Sequence, residues 1–122
     1  MARTIICAIA LAVLTSAASA KTWDCESLES CSFDDCGPLG YQASYRLEVG
    51  KANAIMSGEG WSKEMRLVER SRHIETFAAQ DGAESFFLTL HPDGTLMTSS
   101  HGLDHAAANM NSNSGICQES AR

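Results

Sequence analysis

Three of the five cysteines in this 122-residue chain fall between Cys25 and Cys36, in the stretch W-D-C-E-S-L-E-S-C-S-F-D-D-C, and a fourth, Cys117, stands near the other end. Cross-links among these positions confine the chain to folds whose first and last segments are neighbours. The fifth cysteine, Cys7, sits in a different kind of segment. Arg3 is followed by an uncharged apolar run from Ile5 to Leu14 and then by small residues ending Ala18-Ser19-Ala20. That order reads as a secretory signal peptide over residues 1–20, formed as a signal helix and cleaved after Ala20. The apolar run is about half of the roughly 20 residues a membrane-spanning helix needs, so no stable membrane insertion is expected after cleavage. Cys25 follows Lys21-Thr22-Trp23-Asp24, which lacks the small apolar box of a lipid-anchor site.

The chain left after cleavage, residues 21–122, is expected to be one domain, periplasmic or secreted. It keeps an even set of cysteines, Cys25, Cys31, Cys36 and Cys117, which predicts two disulfides in an oxidising compartment. Cys25 with Cys117 and Cys31 with Cys36 is the favoured pairing. In the chain-entropy description the long loop contributes about 4–5 kcal/mol and the short one roughly 2–3 kcal/mol. Cys25 with Cys31 and Cys36 with Cys117 is the alternative. Zinc held by these thiols is disfavoured, because C-x5-C-x4-C lacks the close C-x2-C knuckle, and the same absence removes a catalytic dithiol. Loss of Arg3 leaves 8 Lys and Arg against 15 Asp and Glu, a net charge of −7. Such a surface argues against nucleic acid as a partner, since phosphate recognition needs clustered Lys and Arg.

Periodicity after the signal is that of strands. Tyr41, Ala43, Tyr45, Leu47 and Val49 alternate with Gln42, Ser44, Arg46 and Glu48, as a half-buried strand requires. From Thr22 to Phe33, one parity collects Trp23, Cys25, Cys31 and Phe33, which predicts both early cysteines on the same face. Gly37-Pro38-Leu39-Gly40 reads as a break. Further strands are expected over 52–59, 65–69, 73–79, 85–90, 95–100 and 115–118. His91-Pro92-Asp93-Gly94-Thr95 is a hairpin signal: Pro presets φ, Asp closes the turn and Gly supplies the left-handed residue. Ala106 to Met110 reads as a helical turn and Asn111 to Gly115 as a polar loop. The sum is an all-β, antiparallel meander closing into a small barrel or sandwich, stapled by disulfides.

The opening Trp23-Asp24-Cys25, the pair Cys31 and Cys36, the Asp93-Gly94-Thr95 hairpin and the closing Gly115-Ile116-Cys117 resemble a group of small exported bacterial proteins to which no activity is attached. The resemblance implies export and a disulfide framework and adds nothing on activity. In outline, a disulfide-closed exported β-barrel is also similar to the periplasmic inhibitors of C-type lysozyme, whose inhibitory loop motif has no counterpart among these residues.

Chemistry-bearing residues are sparse. His101 and His105 are spaced H-x3-H with Asp104 beside them, and His91 lies on a neighbouring strand, so a zinc or copper site is the alternative reading, with Met97 or Met110 as a soft ligand. Ser99 and Ser100 lack a G-x-S-x-G elbow. Asp34, Asp35 and Glu59 read as turn and surface carboxylates. Arg66, Arg70 and Arg72, with Lys63 and His73, form the basic cluster of an acidic chain, and Trp61 in a Gly-flanked turn is a candidate interface anchor. With no catalytic constellation and no cofactor motif, the expectation is a non-enzymatic interaction or inhibitor-like module whose partner is another exported protein or a glycan.

Overall fold

The parity read between Ser44 and Val49 is the parity of the wall: Tyr45, Leu47 and Val49 are buried while Ser44, Arg46 and Glu48 face solvent. The computed structural model describes residues 20–32, 35–104 and 107–120. They form eight strands, β1 (Lys21–Ser32), β2 (Asp35–Val49), β3 (Asn53–Gly58), β4 (Trp61–Arg70), β5 (Glu75–Asp81), β6 (Glu84–Leu90), β7 (Thr95–Asp104) and β8 (Ala107–Glu119). Each pairs antiparallel with the next, and β8 returns to β1, so of the two architectures expected the chain adopts the closed barrel. The signal segment and His105 lie outside the described residues.

Closure is covalent. Cys25 and Cys117 are directly opposed in the β1–β8 ladder and joined by a disulfide, with their Cα atoms 4.0 Å apart. Cys31 and Cys36 are opposed across the β1–β2 hairpin and joined likewise, which is the favoured pairing. Two disulfides are consistent with an oxidising, exported environment.

One expectation about β1 fails. Both ladders of β1 slip between Ser27 and Glu29, so Leu28 is an extra residue, and it is 53% exposed. A one-residue slip exchanges the faces of everything beyond it. Cys25 therefore points into the core while Cys31, level with Glu29, points outward. Opposite the slip, Ser27 pairs with Ala43 and Glu29 with Pro38, so residues 39–42 of β2 face Leu28 alone. The expected break at Gly37–Gly40 is this irregularity within one long strand. The helical turn and polar loop expected from Ala106 to Gly115 are replaced, from Ala107 on, by β8, which is held on one side by β7 and on the other by β1. The hairpin ladder to β7 holds Ala107–Ile116 and the ladder to β1 joins it from Asn111 on, and these override the weak strand propensity of Ala and Asn.

Phe77, Leu47, Met65, Leu88 and Leu96 fill the barrel at 1% exposure or less, with the Cys25–Cys117 bridge among them. Towards the β1–β2 end the lumen turns polar. Ser30, Asn113 and Thr98 form a transverse row of paired positions, and Thr98 is buried. Asn113 Oδ1 and Tyr45 Oη are buried without a hydrogen bond among the described residues.

The His91–Thr95 hairpin is built as its residues dictate. His91 N donates to Thr95 O, Thr95 N donates to Asp93 Oδ1 at 2.9 Å, and Gly94 adopts φ 92°. The Thr95 backbone N–H and then its side chain, both bonded to the carboxylate, hold the Asp93 carboxyl below its ordinary pKa. Gly94 O also accepts from Cys117 N at 2.7 Å, tying the turn to the closing strand.

Candidate functional site

Strand parity sorts the outer surface into two unlike halves. On β1, β2 and β4 the outward side chains include Asp24, Glu26, Glu29, Arg46, Glu48, Glu64 and Arg66. On β5 to β8 the described outward positions number three, three, four and five, running from Thr76 to Gln118, and none is Asp, Glu, Lys or Arg.

The centre of this bare wall is apolar. Phe87, Met97 and Ile116 are 41%, 54% and 48% exposed. Met97 pairs with Thr89 on β6 and Ser114 on β8, which places Phe87 and Ile116 diagonally on either side of it. Diagonal neighbours lie about 7–8 Å apart, close enough for these side chains to form one stripe. Around the stripe stand hydroxyls: Thr76 Oγ1 meets Thr89 Oγ1 at 3.5 Å, and Ser85 Oγ donates to Gln80 Oε1 at 2.6 Å. The Phe87 ring lies 6.2 Å from the His101 ring. Apolar centre and polar margin is the anatomy of a contact surface.

At one border the wall adjoins a groove. Pairing between β4 and β5 ends at Arg66 and Ala78, and beyond it Trp61–Met65 and Ala79–Asp81 are not matched. An open groove of about 940 Å³ follows this parting, bounded by Glu64, Arg66, Val68, Ala78, Gln80 and Phe87. Lys63 spans the parting from inside, with Nζ 3.2 Å from Glu84 Oε1 and 4.4 Å from the Phe86 ring centroid.

The basic cluster read from the sequence is divided by the fold. Arg66 borders the groove, while Arg70 is engaged: Nε donates to Glu75 Oε2 at 2.8 Å, Nη1 to Lys51 O at 2.8 Å and Nη2 to Gly50 O at 2.7 Å. It locks the β2–β3 turn onto β4 and β5. Arg72 Nε donates to His73 Nε2 at 3.2 Å, in the turn after β4. Trp61 is 45% exposed, with its indole laid over Gly58, where a Cβ would collide with the ring.

His91 and His101 are not brought together. His91 is level with Thr95 at the start of β7, and His101 lies six residues further along, about 20 Å at strand rise. Among the described residues the group with metal-ligand spacing is Glu29, Cys31 and Cys36, within 4.8 Å of one another. Both of its sulfurs are spent in the disulfide, so neither is a thiolate. Ser99 faces out and Ser100 in, which separates the two serines.

No protein-family model, curated protein or solved structure matches this chain. The reading of the site rests on its own residues. The bare wall was missed at the level of sequence, although its signal is there: residues 85–118 hold only Asp93 and Asp104 as charged side chains.

Proposed function

We propose that this chain is a non-enzymatic exported interaction module, inhibitor-like in type, and that the outer wall of β5–β8 is the face with which it meets another exported protein. The observation that carries this is the charge-free wall centred on Met97 in a chain of net charge −6. Desolvating charges is costly, so a face without them is the part of an acidic surface that associates at least expense. Among the described residues the wall carries two rings, Phe87 and the His101 imidazole, 6.2 Å apart and tilted by 57°, which is not the broad aromatic platform on which sugars are held, so a protein is favoured over a glycan. Export is supported by the signal-type N-terminal pattern and by the two disulfides. The test is affinity capture from an envelope extract with three baits: the wild-type domain, Met97→Glu, and Ser62→Glu on the outer face of β4. A partner held by wild type and Ser62→Glu and lost by Met97→Glu is the expected result. Identical captures with all three would refute the wall as the contact face.

A further inference from the structure

We infer that the wall also takes a second copy of this chain, so that free molecules pair face to face and cover it. The inference rests on the wall being a contact face and adds the identity of one occupant. Two molecules of net charge −6 repel, and the outward acids Asp24, Glu26, Glu29, Glu48 and Glu64 lie on the other half of the barrel. Bringing the β5–β8 walls together is the approach that buries none of them. A twofold arrangement uses the same patch on both molecules, so the face must be self-complementary. An uncharged face meets this condition automatically: no side chain on it finds a like charge opposite. The convex stripe of Phe87, Met97 and Ile116 then lies against its own copy, with Met97 at the middle.

Size sets the strength. Four strands about 4.8 Å apart and about 20 Å long make a curved area of roughly 400 Å², and because they wrap half of a closed barrel the patch facing a second copy is roughly 250 Å² in projection. Stable complexes bury about 800 Å² per partner, so this pair is transient and forms at high concentration. It occupies the surface an exported partner needs, which makes self-pairing and partner binding alternatives. Electrostatics gives the pair a signature. Its only charge interaction is repulsion between the two bodies, so added salt strengthens it, whereas a contact built on ion pairs weakens.

Sedimentation equilibrium of the disulfide-bonded domain over a wide concentration range tests this. The expected result is a mass rising toward twice that of one chain, more steeply in high salt. Met97→Glu is expected to hold the mass at one chain, and Ser62→Glu, with the same added charge elsewhere, to leave the rise intact. A wild-type mass constant at one chain throughout overturns the self-pairing, while the contact-face reading then stands or falls on the capture experiment. A dimer that survives Met97→Glu also overturns it, since the pair would use another surface. Circular dichroism of each variant verifies that it is folded.

Discussion

Cys25 and Cys117 occupy directly opposed positions on β1 and β8, 92 residues apart in sequence and 4.0 Å apart at Cα. Their bond joins the first strand of the barrel to the last.

Removing that bond therefore releases nearly the whole chain in the unfolded state. Cys25→Ala with Cys117→Ala is expected to lower stability by about 4–5 kcal/mol, against roughly 2–3 kcal/mol for Cys31→Ala with Cys36→Ala. Urea unfolding monitored by tryptophan fluorescence checks the order, and equal losses would refute the assignment of closure to the first pair.

The turn at Gly94 is more demanding than the one at Gly82. Gly82 has φ 58° and open space where a Cβ would stand, whereas Gly94 has φ 92° and a Cβ there would run into the Cys117 carbonyl. Gly82→Ala is expected to cost about 1 kcal/mol and Gly94→Ala more than about 2 kcal/mol. The comparison of thermal midpoints is direct, and Gly94→Ala at or above Gly82→Ala would contradict the contact.

Arg70 reaches two carbonyls and one carboxylate with three different nitrogens. A lysine presents one nitrogen and cannot span them. Arg70→Lys should recover little of the loss in Arg70→Ala, about 1–2 kcal/mol after allowing for solvent at this partly exposed site. Full recovery by lysine in denaturant titrations would show that charge alone matters.

Tyr45 is 7% exposed and its hydroxyl, although the Ser27 side chain stands near it, completes no hydrogen bond of good geometry among the described residues. Tyr45→Phe removes an unsatisfied buried group, so stability is expected to stay level or to rise by up to about 1 kcal/mol. Burial pushes the hydroxyl pKa up, with the Ser27 side chain pulling the other way. A folded pKa above the unfolded value gives a contribution that is present below about pH 10 and lost as pH climbs through the folded value. Tyr45→Phe should therefore flatten the alkaline limb of stability against pH. An unchanged limb, or a loss of more than about 1 kcal/mol, would reveal a partner for the hydroxyl.

The fold was legible where local chemistry decides it. Pro92-Asp93-Gly94 dictated a turn, and the alternation from Ser44 to Val49 dictated which side chains go inward. Register was not legible: Leu28 differs in nothing from an ordinary strand residue, and its extra place is set by how β1 fits between β2 and β8. β8 was misread for a related reason, since Ala107 to Met110 are extended by their hairpin partner β7 and Asn111 to Asn113 also by β1, which lies far away in sequence. The partners of Arg70 at Gly50 and Lys51 are about twenty residues distant, so what read as a surface cation is a clamp. The bare wall went unread because a scarcity of charge over residues 85–118, where only Asp93 and Asp104 are charged, leaves no motif.

The extra residue at Leu28 also divides the chain's sulfur chemistry. Before it, β1 delivers Cys25 to the interior, where the bond to Cys117 is 2–3% exposed, and after it β1 delivers Cys31 to the outside. A small thiol reaches the outer bond by diffusion and the inner one only when the barrel opens. The hairpin bond is thus an address at which a label or a tether can be attached while the barrel stays shut.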